Sequence, residues 1–151
     1  ALGFLLCCGN VPVEDLLAEG KTPDAEMIQY IHANKTAAMI EVSLQMGFCL
    51  GGKYSDDELF KLVGEAGKFL GLAFQSIDDL LDATQTTEQL GKIASSDKDA
   101  GKMTWVTLLG VKQAHALAEE YTNKAIASIE KIGGDNQFLL DLAKHMLQRK
   151  K

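Results

Sequence analysis

Apolar residues recur along most of this chain at the three-to-four-residue spacing of a helix, and no segment alternates with period two for long enough to form a strand. Thr22-Pro23 reads as an N-cap with proline at the first helical position. The helix it opens carries Met27, Ile28, Tyr30 and Ile31 on its apolar face. From about Thr36 to Leu50 the pattern changes. Ala37, Ala38, Met39, Ile40, Val42, Leu44, Met46 and Phe48 leave almost no wet side, which predicts a central helix ended by Gly51-Gly52. Ser55-Asp56-Asp57-Glu58 has the spacing of a capping box and opens a long helix reaching about Asp82. Thr84 to Gly101 is polar and predicts an ordered loop with at most a short helical turn. Helices resume from about Thr104 to about Lys131, and Gly133-Gly134 breaks the chain. Asp135 is the expected N-cap of a last helix ending in Gln148-Arg149-Lys150-Lys151. Without internal repeats or low-complexity tracts, the expectation is one all-α domain over residues 1–151.

One stripe breaks the apolar character of the long helix. In Phe74-Gln75-Ser76-Ile77-Asp78-Asp79-Leu80-Leu81-Asp82, Gln75, Asp78, Asp79 and Asp82 fall at i, i+3, i+4 and i+7, on one helical face. Phe69, Leu70, Leu72, Ala73, Phe74, Ile77, Leu80 and Leu81 surround them. Burying an isolated carboxylate is strongly penalised, so the stripe is expected to line a polar cavity and bind a cation. A solvated helix face is the plain alternative, and the apolar flanks weigh against it. Three carboxylates within about one helical turn present hard oxygens suited to Mg²⁺, which is usually held by one or two carboxylates plus substrate phosphates. Zinc is not expected: Cys7, Cys8 and Cys49 form no CxxC pair, and His32, His115 and His145 lie far apart in sequence.

Lysines supply the opposite charge. Lys35-Thr36 is expected to open the apolar helix, where a cation, a hydroxyl and free backbone N–H groups make an anion site. Lys92 follows Gly91, and Lys102 follows Asp99-Ala100-Gly101. Most lysines are simply surface residues. Beside an acidic stripe these three fit a diphosphate–Mg²⁺ site, since lysine meets phosphate as a point charge.

Length and charge narrow the classes. A chain of 151 residues can build one domain with a core. A net charge of −6 argues against a nucleic-acid surface, and no apolar run reaches the length of a membrane span. Three cysteines without framework spacing favour a reducing compartment, so a cytoplasmic location is expected. The apolar start, Ala1-Leu2-Gly3-Phe4-Leu5-Leu6-Cys7-Cys8, lacks a preceding basic residue and is too short for a signal peptide. With no initial Met, a partial chain is expected. Arg149 is the only arginine, which is few for a complete phosphate-handling enzyme, because the guanidinium fork matches phosphate oxygens.

Taken in order, these motifs resemble the C-terminal half of the trans-type isoprenyl diphosphate synthases, such as farnesyl and geranylgeranyl diphosphate synthases. Asp78-Asp79-Leu80-Leu81-Asp82 is similar to that family's second aspartate-rich motif, preceded by its Phe-Gln at Phe74-Gln75. Lys35-Thr36 is similar to its Lys-Thr pair. Gly91-Lys92 and Asp99-Ala100-Gly101-Lys102-Met103-Thr104 are similar to its two downstream lysine segments. The resemblance begins at about Val13. It implies a helical bundle of the isoprenoid-synthase type, usually a homodimer, that condenses isopentenyl diphosphate with an allylic diphosphate using Mg²⁺. It implies Asp78, Asp79 and Asp82 as metal ligands and Lys35, Lys92 and Lys102 as contacts to the allylic diphosphate. It places Thr36 and Gln75 against the allylic carbocation and the diphosphate oxygens, so Lys35, Thr36 and Gln75 are the expected catalytic residues.

The family's first aspartate-rich motif, with its paired arginines, is absent from these residues; neither Gly51-Gly52-Lys53-Tyr54 nor Asp56-Asp57-Glu58 replaces it. The chain is therefore expected to be the C-terminal part of a larger synthase, with little activity alone. A non-catalytic helical subunit is the alternative, which the intact Asp78, Asp79, Asp82 and Lys35-Thr36 argue against. A terpene cyclase ranks below both, because the downstream lysine segments resemble chain-elongating enzymes.

Overall fold

The structure, a computed structural model, describes residues 22, 24–53, 56–84 and 103–149, with helices and no strand among them. Helix α1 (Ala25–His32) runs without interruption through a π-helical turn at Ala33–Ala37 into α2 (Ala38–Phe48), and a second π-turn, Cys49–Lys53, closes it. Helix α3 (Asp57–Thr84) spans 28 residues and forms the axis of the molecule. The short α4 (Trp105–Leu109), then α5 (Val111–Ile132) and α6 (Gln137–Leu147), complete the described bundle. Helix α3 packs most extensively on α5 along one side and on α2 along another.

The helix ends follow local chemistry, with some shifts from expectation. The Asp24 carboxylate, rather than Thr22, caps α1 by accepting the N–H groups of Glu26 and Met27. Asp56 caps α3, its Oδ1 accepting the Leu59 N–H at 3.0 Å; Ser55 lies outside the described residues. Thr104 and Thr107 cap each other's backbone at the start of α4. Gly110, at φ +81°, then divides the expected helical stretch from Thr104 to Lys131 into two helices. Asn136 stands immediately before α6, its side-chain amide donating back to the carbonyls of Ile129 and Gly133, while the Asp135 carboxylate accepts the Gln137 N–H at the start of the helix.

The core is a series of small-residue contacts. Ala114, Ala118, Ala125 and Ile129 of α5 are fully buried, with Ala66, Leu70, Leu72 and Ala73 of α3 buried as well. Ile28 and Ile31 of α1 pack with Ile77, Leu80, Met103 and Trp105 at the acidic end of α3. Glycines bring α2 and α3 to backbone contact. A Cβ on Gly71 would lie 2.3 Å from the Ala37 Cα, and one on Gly67 would lie 2.6 Å from the Glu41 Cα. That approach sets the Lys35-Thr36 turn beside the acidic stripe.

The expected central helix is corrected here. No residue of Ala38–Phe48 is buried, and Met39 and Met46 are more than half exposed. One stripe of α2 rests on α3, and the opposite apolar side faces outward. No helix among the described residues is long and apolar enough to cross a membrane.

Candidate active site

Lys35 and Thr36 lie inside the π-turn, in the middle of a continuous helical run. The expected helix N-terminus is therefore absent at this point, and free backbone N–H groups are not what this turn offers. No glycine or proline stands between Asp24 and Met46 to break the ladder, so the helix is carried through by one i→i+5 turn, a feature that recurs at functional sites. The turn presents Thr36 to α3. Its hydroxyl donates to Gln75 Oε1 at 2.9 Å, joining two motifs 39 residues apart in sequence.

The stripe on α3 divides between two neighbours. Gln75 Nε2 donates to Asp79 Oδ1 at 3.4 Å. Asp79 Oδ2 lies 3.2 Å from Nε2 of His32, and both side chains are buried. The two side chains are in close polar contact, although no donor is aligned for a hydrogen bond to that oxygen. The indole of Trp105 stands edge-on to the imidazole, with ring centres 6.2 Å apart. Asp78, on the other side of the stripe, pairs with the guanidinium of Arg149. That guanidinium also lies 5.1 Å from the centre of the Phe74 ring. Asp82 is buried one turn further along α3.

The structure thus brings Thr36, Gln75 and Asp79 together, and it places Asp78 and Asp82 beside them on α3. The Lys35 side chain is exposed at the same turn, while Lys92 and Lys102 lie outside the described residues. Among the described residues no three His, Cys, Asp or Glu side chains converge closely enough to hold an ion by themselves. The three aspartates do not form a closed cage. That geometry still suits Mg²⁺, which takes hard oxygens and is completed by water and phosphate rather than by protein alone. Arg149 on Asp78 also shows that this carboxylate holds a positive charge where it stands.

Sequence reading missed His32, Arg149 and Trp105 as members of the site. His32 carried one usable signal: it follows Ile28 and Ile31 on the buried face of α1, where a polar ring needs a partner.

Residues 8–135 match the family model described as Polyprenyl synthetase. The chain belongs to the polyprenyl synthetase family. It is 39% identical over 116 residues to a chloroplastic geranylgeranyl pyrophosphate synthase of Arabidopsis thaliana, a match covering 75% of this chain and 32% of that protein. The chain thus spans about a third of the length of this curated relative. The crystal structure of heptaprenyl diphosphate synthase from Staphylococcus aureus superposes with a TM-score of 0.91 at 22% identity, over 99% of this chain and 58% of the other. That likeness establishes the helical fold. A Helicobacter pylori geranyltransferase, solved with magnesium and isoprenyl diphosphate, superposes with a TM-score of 0.76 at 28% identity, over 97% of this chain and 50% of its own.

Within this polyprenyl synthetase chain, the expected all-α bundle and the family resemblance both hold. The matched segment includes the Lys35-Thr36 turn and the whole of α3.

Proposed function

We propose that this chain supplies the allylic-diphosphate half of a prenyltransferase site, acting as the C-terminal portion of a short-chain isoprenyl diphosphate synthase. The reaction would condense isopentenyl diphosphate with an allylic diphosphate after Mg²⁺-assisted ionisation. The observation that carries this reading is the 2.9 Å bond from Thr36 to Gln75, which assembles the Lys-Thr and Phe-Gln-acidic motifs into one polar surface. The relatives named as geranylgeranyl pyrophosphate synthases support it, as does the geranyltransferase that binds magnesium and isoprenyl diphosphate.

The chemistry follows from the residues. Ionisation of an allylic diphosphate separates a carbocation from a diphosphate anion. Magnesium, when bound, would neutralise the leaving diphosphate as a Lewis acid. Asp78, Asp79 and Asp82 would hold it. Lys35, Lys92 and Lys102 would meet the diphosphate oxygens as point charges. Thr36 and Gln75 would turn preorganised dipoles toward the cation, a stabilisation that costs no reorganisation during the reaction. The isopentenyl diphosphate site and the second half of the metal site would come from residues other than these 151. In our reading the working form is a homodimer, and the three cysteines favour the cytoplasm.

Replacing Asp78 and Asp82 together by Ala tests this. In a polypeptide carrying both acidic motifs, prenyl transfer is expected to fall about 100-fold or more, the scale of several kcal/mol of charge stabilisation. Unchanged transfer in that variant would favour a non-catalytic helical subunit instead.

A further inference from the structure

We propose that His32 and Asp79 form a positioning pair that fixes the amide of Gln75 and, through it, the direction of the Thr36 hydroxyl. The catalytic consequence rests on the function proposed above; the geometry does not. Two helical segments each contribute residues one turn apart: His32 and Thr36 from the α1–π-turn run, Gln75 and Asp79 from α3. Their side chains form a closed bracket. Thr36 donates to Gln75 Oε1, Gln75 donates to Asp79 Oδ1, and His32 faces Asp79 Oδ2.

The polarity of this bracket is set from the Asp79 end. Gln75 donates from its NH₂ group to Asp79 Oδ1, which accepts. The amide oxygen is then turned to Thr36, and the Thr36 hydroxyl must donate to it. The oxygen lone pairs of Thr36 are left pointing away from Gln75, the negative end of the hydroxyl dipole. With Asp79 displaced, Gln75 can reverse, Thr36 then accepts, and its proton swings outward. The two arrangements present opposite dipoles to whatever lies beside Thr36. An allylic cation is stabilised by the first and repelled by the second.

His32 is what keeps Asp79 in place. Asp79 is 5% exposed and His32 is 2% exposed. A buried carboxylate that loses the polar neighbour packed on it moves or draws in water. The Trp105 ring packs perpendicular to the imidazole.

The test uses three variants. In the unaltered chain, the Gln75 side-chain amide should give a pair of widely separated ¹H–¹⁵N resonances that exchange slowly with water, as expected for one proton on a buried carboxylate. His32→Leu should collapse that pair, and so should Asp79→Asn, which allows the amide to reverse. His32→Gln, which keeps an N–H near the position of Nε2, should preserve it. In a transfer-competent polypeptide, His32→Leu should lower kcat about 10-fold while KM for the allylic diphosphate moves less than about 3-fold, and His32→Gln should restore kcat to within about 3-fold. Gln75 resonances that ignore His32→Leu and Asp79→Asn, or equal kcat for Leu and Gln at position 32, would overturn the proposal. Absence of transfer in the unaltered polypeptide would count against the proposed function, and the amide spectra would still decide the pairing.

Discussion

Arg149 is the only arginine in the sequence, and it lies against Asp78 and the face of Phe74. Helical spacing shows which side chains share a face, and it placed Gln75, Asp78, Asp79 and Asp82 correctly together on α3. Spacing is silent about which neighbour each will meet. Asp79 turned to His32 and Asp78 to Arg149, because those partners come from elements distant in the chain. Tyr121 carries a separate residue-scale consequence. Its hydroxyl donates to Gln29 at 2.8 Å, and its ring stacks on Phe69. Burial pushes the phenol above its ordinary pKa of 10.0, the carboxylate of Glu120 adds to this, and the Gln29 bond opposes it. The folded protein therefore keeps that proton to higher pH than the unfolded chain does. Above the unfolded value the unfolded state binds fewer protons, so stability falls as pH rises. Urea midpoints at roughly pH 9 and 11 should drop further for the parent than for Tyr121→Phe. Equal drops would show that Tyr121 ionises as it does in the unfolded chain.

At the scale of elements, the contact between α2 and α3 decides where Thr36 stands. Gly71→Ala would place a methyl 2.3 Å from the Ala37 Cα, against backbone that cannot swing aside. It is expected to cost about 1–3 kcal/mol, the range for overpacking. Gly47→Ala is the control. It lies within α2 with nothing inside 4 Å of its Cβ position, so the better helix former should stabilise by about 0.5–1 kcal/mol. Denaturant melts of both variants check the pair. A neutral Gly71→Ala would mean that the helices are further apart than described. Gly64, Gly67 and Gly71 are visible in the sequence, but only the packing shows that they answer to Gln45, Glu41 and Ala37. The reading of Lys35-Thr36 as a helix start failed for a related reason. The change from an amphipathic to an all-apolar pattern looks like a boundary, yet the backbone ladder needs no break there, and a π-turn absorbs the change of facing.

For the whole molecule, composition and periodicity were enough for the all-α class, and the ordered motifs were enough for the family. The burial of α2 was not legible. An all-apolar helix signals that both sides will be covered, and sequence does not say by what. Met39, Met46 and Leu50 are exposed, on the same continuous helical run that carries Lys35 and Thr36 in its first π-turn. The net charge of −6 has a consequence at this scale too. An acidic protein does not attract an anionic diphosphate by its overall field, so under the proposed function affinity would come from local lysines and from divalent cations bridging the two negative partners. The most direct test of the central claim is a calorimetric titration of this chain with geranyl diphosphate, with Mg²⁺ and with EDTA. Binding heat that requires Mg²⁺ and vanishes when Asp78 and Asp82 are both replaced by Ala is the predicted result. No Mg²⁺-dependent binding by the parent chain, or binding that survives EDTA or the double replacement, would contradict it.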